Sequence, residues 1–387
     1  MLPCPFLPAC FFQGFRAAVF TLLALYGGSA QASGSVQALW TAPLLADLAA
    51  VEAKSSAKIG VYVRDLDSGT SASYQGSERW YIASMVKVPV AIAVLRGVER
   101  GQYKLGTRLT LRAGDYLDGA GRTNSQSVGT ALSIRYLLEQ MMKYSDNTAT
   151  DMLIDLVGVA NVNQLVQAAV PGGFTRITSL SDVRRLIYGN LVTNAQALTG
   201  LEMISLNRER VDAERLQLLS RLVGTPVEQF LVPTLGLAYK HYYDSGVNSA
   251  QLDAYGELLS QLVNGKLLNS KYTDYLIALM ERTATGANRL KAGLPTGVRL
   301  AHKTGTQRRR TCDAGLARLS AGALERRVIV VACTRDEQSL AQAETALMQV
   351  GLAICRSGLL TSGVIDAPSC QAISHTERRL PAAVPER

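Results

Sequence analysis

A chain of 387 residues, 48% hydrophobic and 18% charged, is long enough to bury a sizeable core and too apolar to be disordered. Its net charge of +9 is not gathered into a basic block with interleaved aromatics, which excludes nucleic-acid binding as the organising function; Arg308-Arg309-Arg310 is the dense basic run. Three histidines, and cysteines without metal-ligand spacing, give no reason to expect a metal or any other cofactor.

The first segment reads as a leader. Arg16 precedes an apolar core, Ala17 to Tyr26, and Ala30-Gln31-Ala32 offers a small-x-small cleavage site. The core is shorter than the roughly 20 residues that span a bilayer. The expectation is a signal peptide over 1–32, one exported domain over 33–387, periplasmic or secreted, and no stable membrane anchor. Cys312, Cys333, Cys355 and Cys370 then remain. Three pairings are open to them, besides buried free thiols. Strand-like surroundings favour Cys312–Cys333, which leaves Cys355–Cys370.

A helix is expected from Val36 to Ala53, with Leu39, Leu44, Leu45 and Leu48 apolar. Strand-like Lys58–Asp65, a turn at Asp67-Ser68-Gly69 and a second strand from Ser71 to Tyr74 follow. Next comes Tyr81-Ile82-Ala83-Ser84-Met85-Val86-Lys87-Val88-Pro89, which opens an apolar run to Val98. In a helix, Ser84 and Lys87 share a face one turn apart. A serine hydroxyl needs a base within reach, and a lysine serves once burial lowers its pKa. Pro89 cannot donate to the Met85 carbonyl, so the first turn should be irregular. A chance pair on an ordinary helix is the plainer alternative.

Gly101 ends that helix. Lys104 to Gly121 is polar and turn-rich, with Tyr116 just before Gly119-Ala120-Gly121. Ser133 to Met142 reads as an amphipathic helix. Ser145-Asp146-Asn147 is a loop, with Asp146 or Asn147 capping a helix from Thr148 to Val157. Leu186 to Asn248 reads as helical, broken at Pro226 and Pro233. Helices over Leu252–Leu262 and Ser270–Arg282 precede a strand, Val298 to Lys303, that continues through Thr304-Gly305-Thr306. Asp313–Leu319 and Arg327–Thr334 complete an antiparallel set, and Gln338–Leu352 is a closing helix.

Ser84-x-x-Lys87, Ser145-Asp146-Asn147 and Lys303-Thr304-Gly305, in that order, resemble the serine β-lactamase and penicillin-binding-protein superfamily, class A in particular. Each tripeptide alone is weak evidence. The order is strong, and Ser145 lies 61 positions after Ser84, close to class A spacing. The resemblance implies an α+β fold, an antiparallel sheet flanked by helices plus an all-helical lobe. The sheet lobe would take about 33–80 and 290–387, and the helical lobe about 81–289. It further implies catalysis by Ser84, Lys87, Ser145 and Lys303. Asn147, Thr304, Gly305, Thr306 and Tyr116 would contact substrate, with help from an arginine among Arg308 to Arg310. The implied substrate is a small β-lactam or a peptidoglycan stem peptide, taken by a monomer.

The chain also departs from that pattern. Class A members carry Glu-x-x-Leu-Asn roughly 36 residues after the Ser-Asp-Asn serine, and its glutamate activates the deacylating water. Ser181 stands at that distance here, with Asp182 beside it as a possible deacylation base. The nearest likeness, Glu202 to Asn207, is one residue too long and too far along. Lys303 lies 158 positions after Ser145, about 50 more than the resemblance implies. The surplus is an inserted helical segment, about 187–247, which also brings Glu202, Glu209, Asp212 and Glu214 into consideration as bases. Three functions stay open: a class A-like β-lactamase, a penicillin-binding D-Ala-D-Ala peptidase-like hydrolase, and a non-catalytic binding module.

Overall fold

Five antiparallel strands form the central sheet of the computed structural model, which describes residues 39–321, 324–360 and 370. The expected leader, residues 1–32, lies outside the described residues, as does the start of the helix expected from Val36. The strand order is Ser71–Tyr74, Lys58–Asp65, Leu324–Arg335, Arg310–Ala321, Arg299–Gln307. Val328 to Cys333 is an apolar run, β-branched through Val331, without polar breaks because both faces of its strand are covered. Ile59, Val61, Val63, Val328 and Val330 pack against Leu44 and Leu48 of helix Thr41–Ala53 and against Leu347 and Val350 of helix Leu340–Arg356. Ile329, Val331 and Cys333 face the opposite way, into a larger cluster shared with the remaining helices. The α+β architecture is the expected one.

Cys312 and Cys333 are register partners on neighbouring strands and are joined by a disulfide. Cys355 and Cys370 form the second. The favoured pairing is therefore the one present.

Helix Lys87–Glu99 runs through the larger cluster, with Val88, Val90, Ile92, Val94 and Leu95 all buried. The irregular turn before it is a 3-10 turn, Ala83–Val86. Pro89 falls in the first turn of the α-helix, where its missing N–H breaks no intrahelical bond. The Met85 carbonyl, which Pro89 cannot serve, accepts the Tyr255 hydroxyl at 2.9 Å.

The segment 187–247 is helical, as expected. It holds Gly200–Arg208, Asp212–Val223 and Leu235–Asp244, with Pro226 and Pro233 in the connections. Among its contacts, two join it to separate parts of the fold. Gly200 lies against the loop before Gly119, where an added Cβ would sit 1.5 Å from the Tyr116 carbonyl oxygen. On the other side, Asp212 makes a bidentate pair with Arg308, and the Tyr243 hydroxyl donates to the Arg308 carbonyl at 2.7 Å. Arg308 follows the sheet's edge strand, Arg299–Gln307.

Candidate active site

Ser84 sits where a short strand turns into a buried helix. Strand Arg79–Tyr81 pairs with Ser249–Gln251, and the Ile82 N–H donates to the Asn248 carbonyl at 3.0 Å. Ala83 has φ +47°, a costly value for a residue with a side chain, held by this surrounding pairing. The turn leaves Ser84 only half-buried while Lys87, one turn on, is fully buried.

Lys87 Nζ donates to Asn147 Oδ1 at 2.7 Å, to the Ser145 carbonyl at 2.5 Å and to Ser145 Oγ at 3.1 Å. Lys303 Nζ reaches the same Ser145 Oγ at 2.9 Å, from the edge strand. Ser145 is held at φ +62°, between helices Ile134–Lys143 and Asn147–Val157. Asp146 fixes this loop: its carboxylate caps the second helix at the Ala149 N–H, 2.9 Å, and accepts the Thr123 N–H at 2.9 Å. Burial pushes Lys87 down to about 7, helped by Arg184 and opposed by Asp146, Asp151 and Asp118. Burial likewise takes Lys303 well below the usual lysine range, with Lys87 and Arg289 adding to the effect. A lysine that is half neutral at pH 7 can accept a proton from a hydroxyl.

Gly305 is where the edge strand passes the Ser84 turn. A Cβ there would lie 2.5 Å from the Ile82 carbonyl oxygen and 3.2 Å from Ala83 Cβ, so only glycine permits this approach. Thr304 Oγ1 lies 2.6 Å from Thr285 Oγ1. Thr306 Oγ1 accepts from Arg289 at 2.8 Å, and the same guanidinium donates to the Gly305 and Cys312 carbonyls. Arg289, which precedes the short helix Leu290–Gly293, is therefore the arginine that reaches Gly305 and Thr306 of this strand. Arg308 is engaged with Asp212, Arg309 donates to the Asp336 carbonyl, and Arg310 pairs with Asp336 over the Tyr243 ring.

Tyr116 and Asp182 make no hydrogen bond or ion pair with Ser84, Lys87, Ser145 or Lys303 among the described residues. They share a recess of about 490 Å³ with Asp151, Asp155 and Ser181, which none of Ser84, Lys87, Ser145 and Lys303 lines. The Tyr116 hydroxyl donates to the Gln126 carbonyl in its own loop at 2.6 Å. Asp182, half exposed, holds Arg185 at 3.2 Å. Asp151 accepts the Leu180 and Ser181 N–H groups, at 2.7 and 2.8 Å, and burial pushes it up to about 6. In the segment 187–247, Glu202 closes a capping box with Thr199, and Asp212 is bound to Arg308.

Two residues near Lys87 escaped the sequence reading. Asn147 Nδ2 donates to the Asp118 carbonyl at 2.7 Å, and the Asp118 carboxylate takes a bidentate grip from Arg184, both bonds 2.8 Å. A continuous line thus runs Lys87–Asn147–Asp118–Arg184. Asp118 and Arg184 are 66 positions apart with no motif joining them. The available signal was Arg184-Arg185, two arginines just past the position where the glutamate is missing.

The family model described as "Beta-lactamase enzyme family" matches residues 43–357. The chain is 27% identical over 295 residues to a β-lactamase of Mycobacterium tuberculosis, covering 75% of this chain and 78% of the other. It is 23% identical over 253 residues to β-lactamase VEB-1 of Pseudomonas aeruginosa, covering 65% and 67%. Among solved structures it resembles a β-lactamase from Sphaerobacter thermophilus, with TM-score 0.59, 23% identity and coverage of 83% and 98%. It also resembles PBP-A, with TM-score 0.61, 22% identity and coverage of 81% and 94%.

Proposed function

The chain belongs to the β-lactamase enzyme family, and from that premise we propose that it is an exported, class A-like serine hydrolase that forms an acyl-enzyme at Ser84 and hydrolyses β-lactams. The leader-like N-terminus and two disulfides support export. The observation that carries the chemistry is the meeting of Lys87 and Lys303 on Ser145 Oγ.

Ser84 Oγ attacks the lactam carbonyl carbon, and Lys87, neutral in part at pH 7, takes its proton. The backbone N–H groups of Ser84 and Thr306 receive the developing oxyanion. As the C–N bond breaks, Ser145 passes a proton to the lactam nitrogen and regains one from Lys87. Lys303 and Arg289, with Thr304 and Thr306, supply the charge and hydroxyls for the substrate carboxylate. Asn147 is held at both ends of its amide, by Lys87 and by the Asp118 carbonyl, so that its edge is presented to the acyl amide.

Deacylation needs a water and a base. Each carboxylate whose charge bears on Lys87 already has partners: Asp118 on Arg184, Asp146 on two N–H groups, Asp151 on two more. Asp182 stays a candidate base only if it leaves Arg185. This arrangement favours a second reading, a penicillin-binding peptidase-like hydrolase that releases lactams slowly. A PBP-A mutant has been captured as an acyl-enzyme with penicillin G. Losing a general base typically costs about 10²–10⁴-fold in rate.

The deciding experiment is intact-protein mass after mixing with a penicillin, alongside lactam loss over time. A transient adduct with many turnovers supports the β-lactamase. A persistent adduct without turnover supports the peptidase-like reading. An adduct that survives Ser84→Ala refutes both.

A further inference from the structure

Arg184 and Tyr188 lie four positions apart, on one face of helix Leu180–Gly189. That helix is fastened to Leu235–Asp244 by Asn190, whose Nδ2 donates to the Ala238 carbonyl at 3.1 Å, next to Tyr239. Arg184 spends Nε and Nη2 on Asp118, leaving Nη1 without a partner among the described residues. Tyr188 and Tyr239 are only 3% and 8% exposed. Neither hydroxyl has a hydrogen-bond partner among the described residues, and neither is sealed away from solvent. Each hydroxyl therefore has a hydrogen bond to give to water or to a ligand.

The charge around these hydroxyls is positive. Arg308 lies 5.9 Å from the Tyr239 ring centre. Arg215 also acts on both phenols, and its guanidinium holds the Glu209 backbone carbonyl, with no carboxylate partner among the described residues. Three guanidiniums, Arg184, Arg215 and Arg308, therefore face two paired carboxylates, Asp118 and Asp212. The Lys87–Asn147–Asp118–Arg184 line ties this group to the nucleophile's helix.

We propose that Arg184, Tyr188 and Tyr239 form a subsite for a carboxylate on the acyl side chain of the substrate. It is separate from the place where Lys303, Thr304 and Thr306 meet the substrate's other carboxylate. The guanidinium offers the free Nη1 donors and the two phenols offer O–H donors, a set that matches an anion's lone pairs. The proposal rests on the acyl-enzyme reading of Ser84 for its orientation, and it extends that reading to a substrate class.

The test compares benzylpenicillin with its α-carboxy analogue, which differ by one carboxylate on the acyl side chain. Intact mass reads the rate of acylation. The expected ratio favours the carboxylated compound by about tenfold, and Tyr188→Phe and Tyr239→Phe each bring it down severalfold. Arg184→Gln reverses the preference and Arg184→Lys restores part of it. A ratio that is the same in the parent and in both phenylalanine variants overturns the proposal. Phenylmalonate and phenylacetate, the free acids of the two side chains, give an independent readout by calorimetry. Tighter binding of phenylmalonate, lost in Tyr239→Phe, supports the subsite even where no acylation occurs, an outcome that defeats the acyl-enzyme reading alone. Equal affinities for the two acids overturn the subsite.

Discussion

Lys87 and Lys303 bring their nitrogens to one oxygen, Ser145 Oγ, at 3.1 and 2.9 Å. Two buried ammonium groups on one hydroxyl repel each other and have lost their hydration, so the site favours giving up protons. Burial takes Lys87 from 10.5 to about 7. Acylation of Ser84 by a penicillin should therefore rise as pH passes through about 7, as the neutral amine becomes the majority form. Stopped-flow acylation from pH 5 to 9 measures this. Lys87→Ala should lose the limb and about 10²–10⁴-fold in rate. A parent profile flat across that range removes Lys87 as the base.

The same lysine leaves a mark on stability. Its folded pKa lies below its unfolded one, so between about 7 and 10.5 the unfolded chain binds more protons. Stability from this group therefore rises with pH across that interval, and it falls as pH drops through about 7. Urea midpoints at pH 7 and pH 9 should show the parent gaining on Lys87→Met at the higher pH. Equal differences at both pH values contradict a depressed Lys87.

Gly305→Ala tests the contact between the edge strand and the Ser84 turn. The new Cβ has the Ile82 carbonyl oxygen 2.5 Å away, so strand and turn must part. Misplacement by about 1 Å at a catalytic group costs on the order of 10²-fold. The acylation rate should fall by about that factor while circular dichroism stays that of the parent. A variant with unchanged acylation refutes the idea that this close approach sets the site.

The parts of the site that could be read from the chain are those in which reactive residue types are contiguous. Ser84 with Lys87, and Lys303 with Thr304 and Gly305, declare themselves within one helical turn or one strand. Arg289 did not, because it stands just after the Thr285-Gly286 break and reaches Thr306 only through the folded chain. Asp118 and Arg184 were hidden for the same reason, being joined by tertiary packing alone. Among the elements, Ser71–Tyr74 has the expected limits, since turn residues bound it. Strands Arg310–Ala321 and Leu324–Arg335 run longer than Asp313–Leu319 and Arg327–Thr334, because ladder pairing carries polar ends such as Glu325 and Arg326 that apolar patterning misses. The closing helix extends past Leu352 because Ala353, Ile354 and Cys355 are still buried.

Asp212 and Arg308 join the segment 187–247 to the end of the edge strand. Their side chains are 42% and 38% exposed, so water and salt screen the pair, and such pairs contribute about 0–1 kcal/mol. Asp212→Asn should accordingly leave the denaturation midpoint nearly unchanged. Local opening is another matter, because Asp212 starts helix Asp212–Val223, of which only Leu216 and Leu219 are buried. Amide exchange in that helix should speed up in Asp212→Asn, and in the parent at high salt. Helix Leu235–Asp244 should keep its protection, being held separately by the Tyr243 hydroxyl on the Arg308 carbonyl. Mass-resolved hydrogen exchange separates the two helices. Unchanged exchange in Asp212–Val223 would show that Leu216 and Leu219 alone keep it closed.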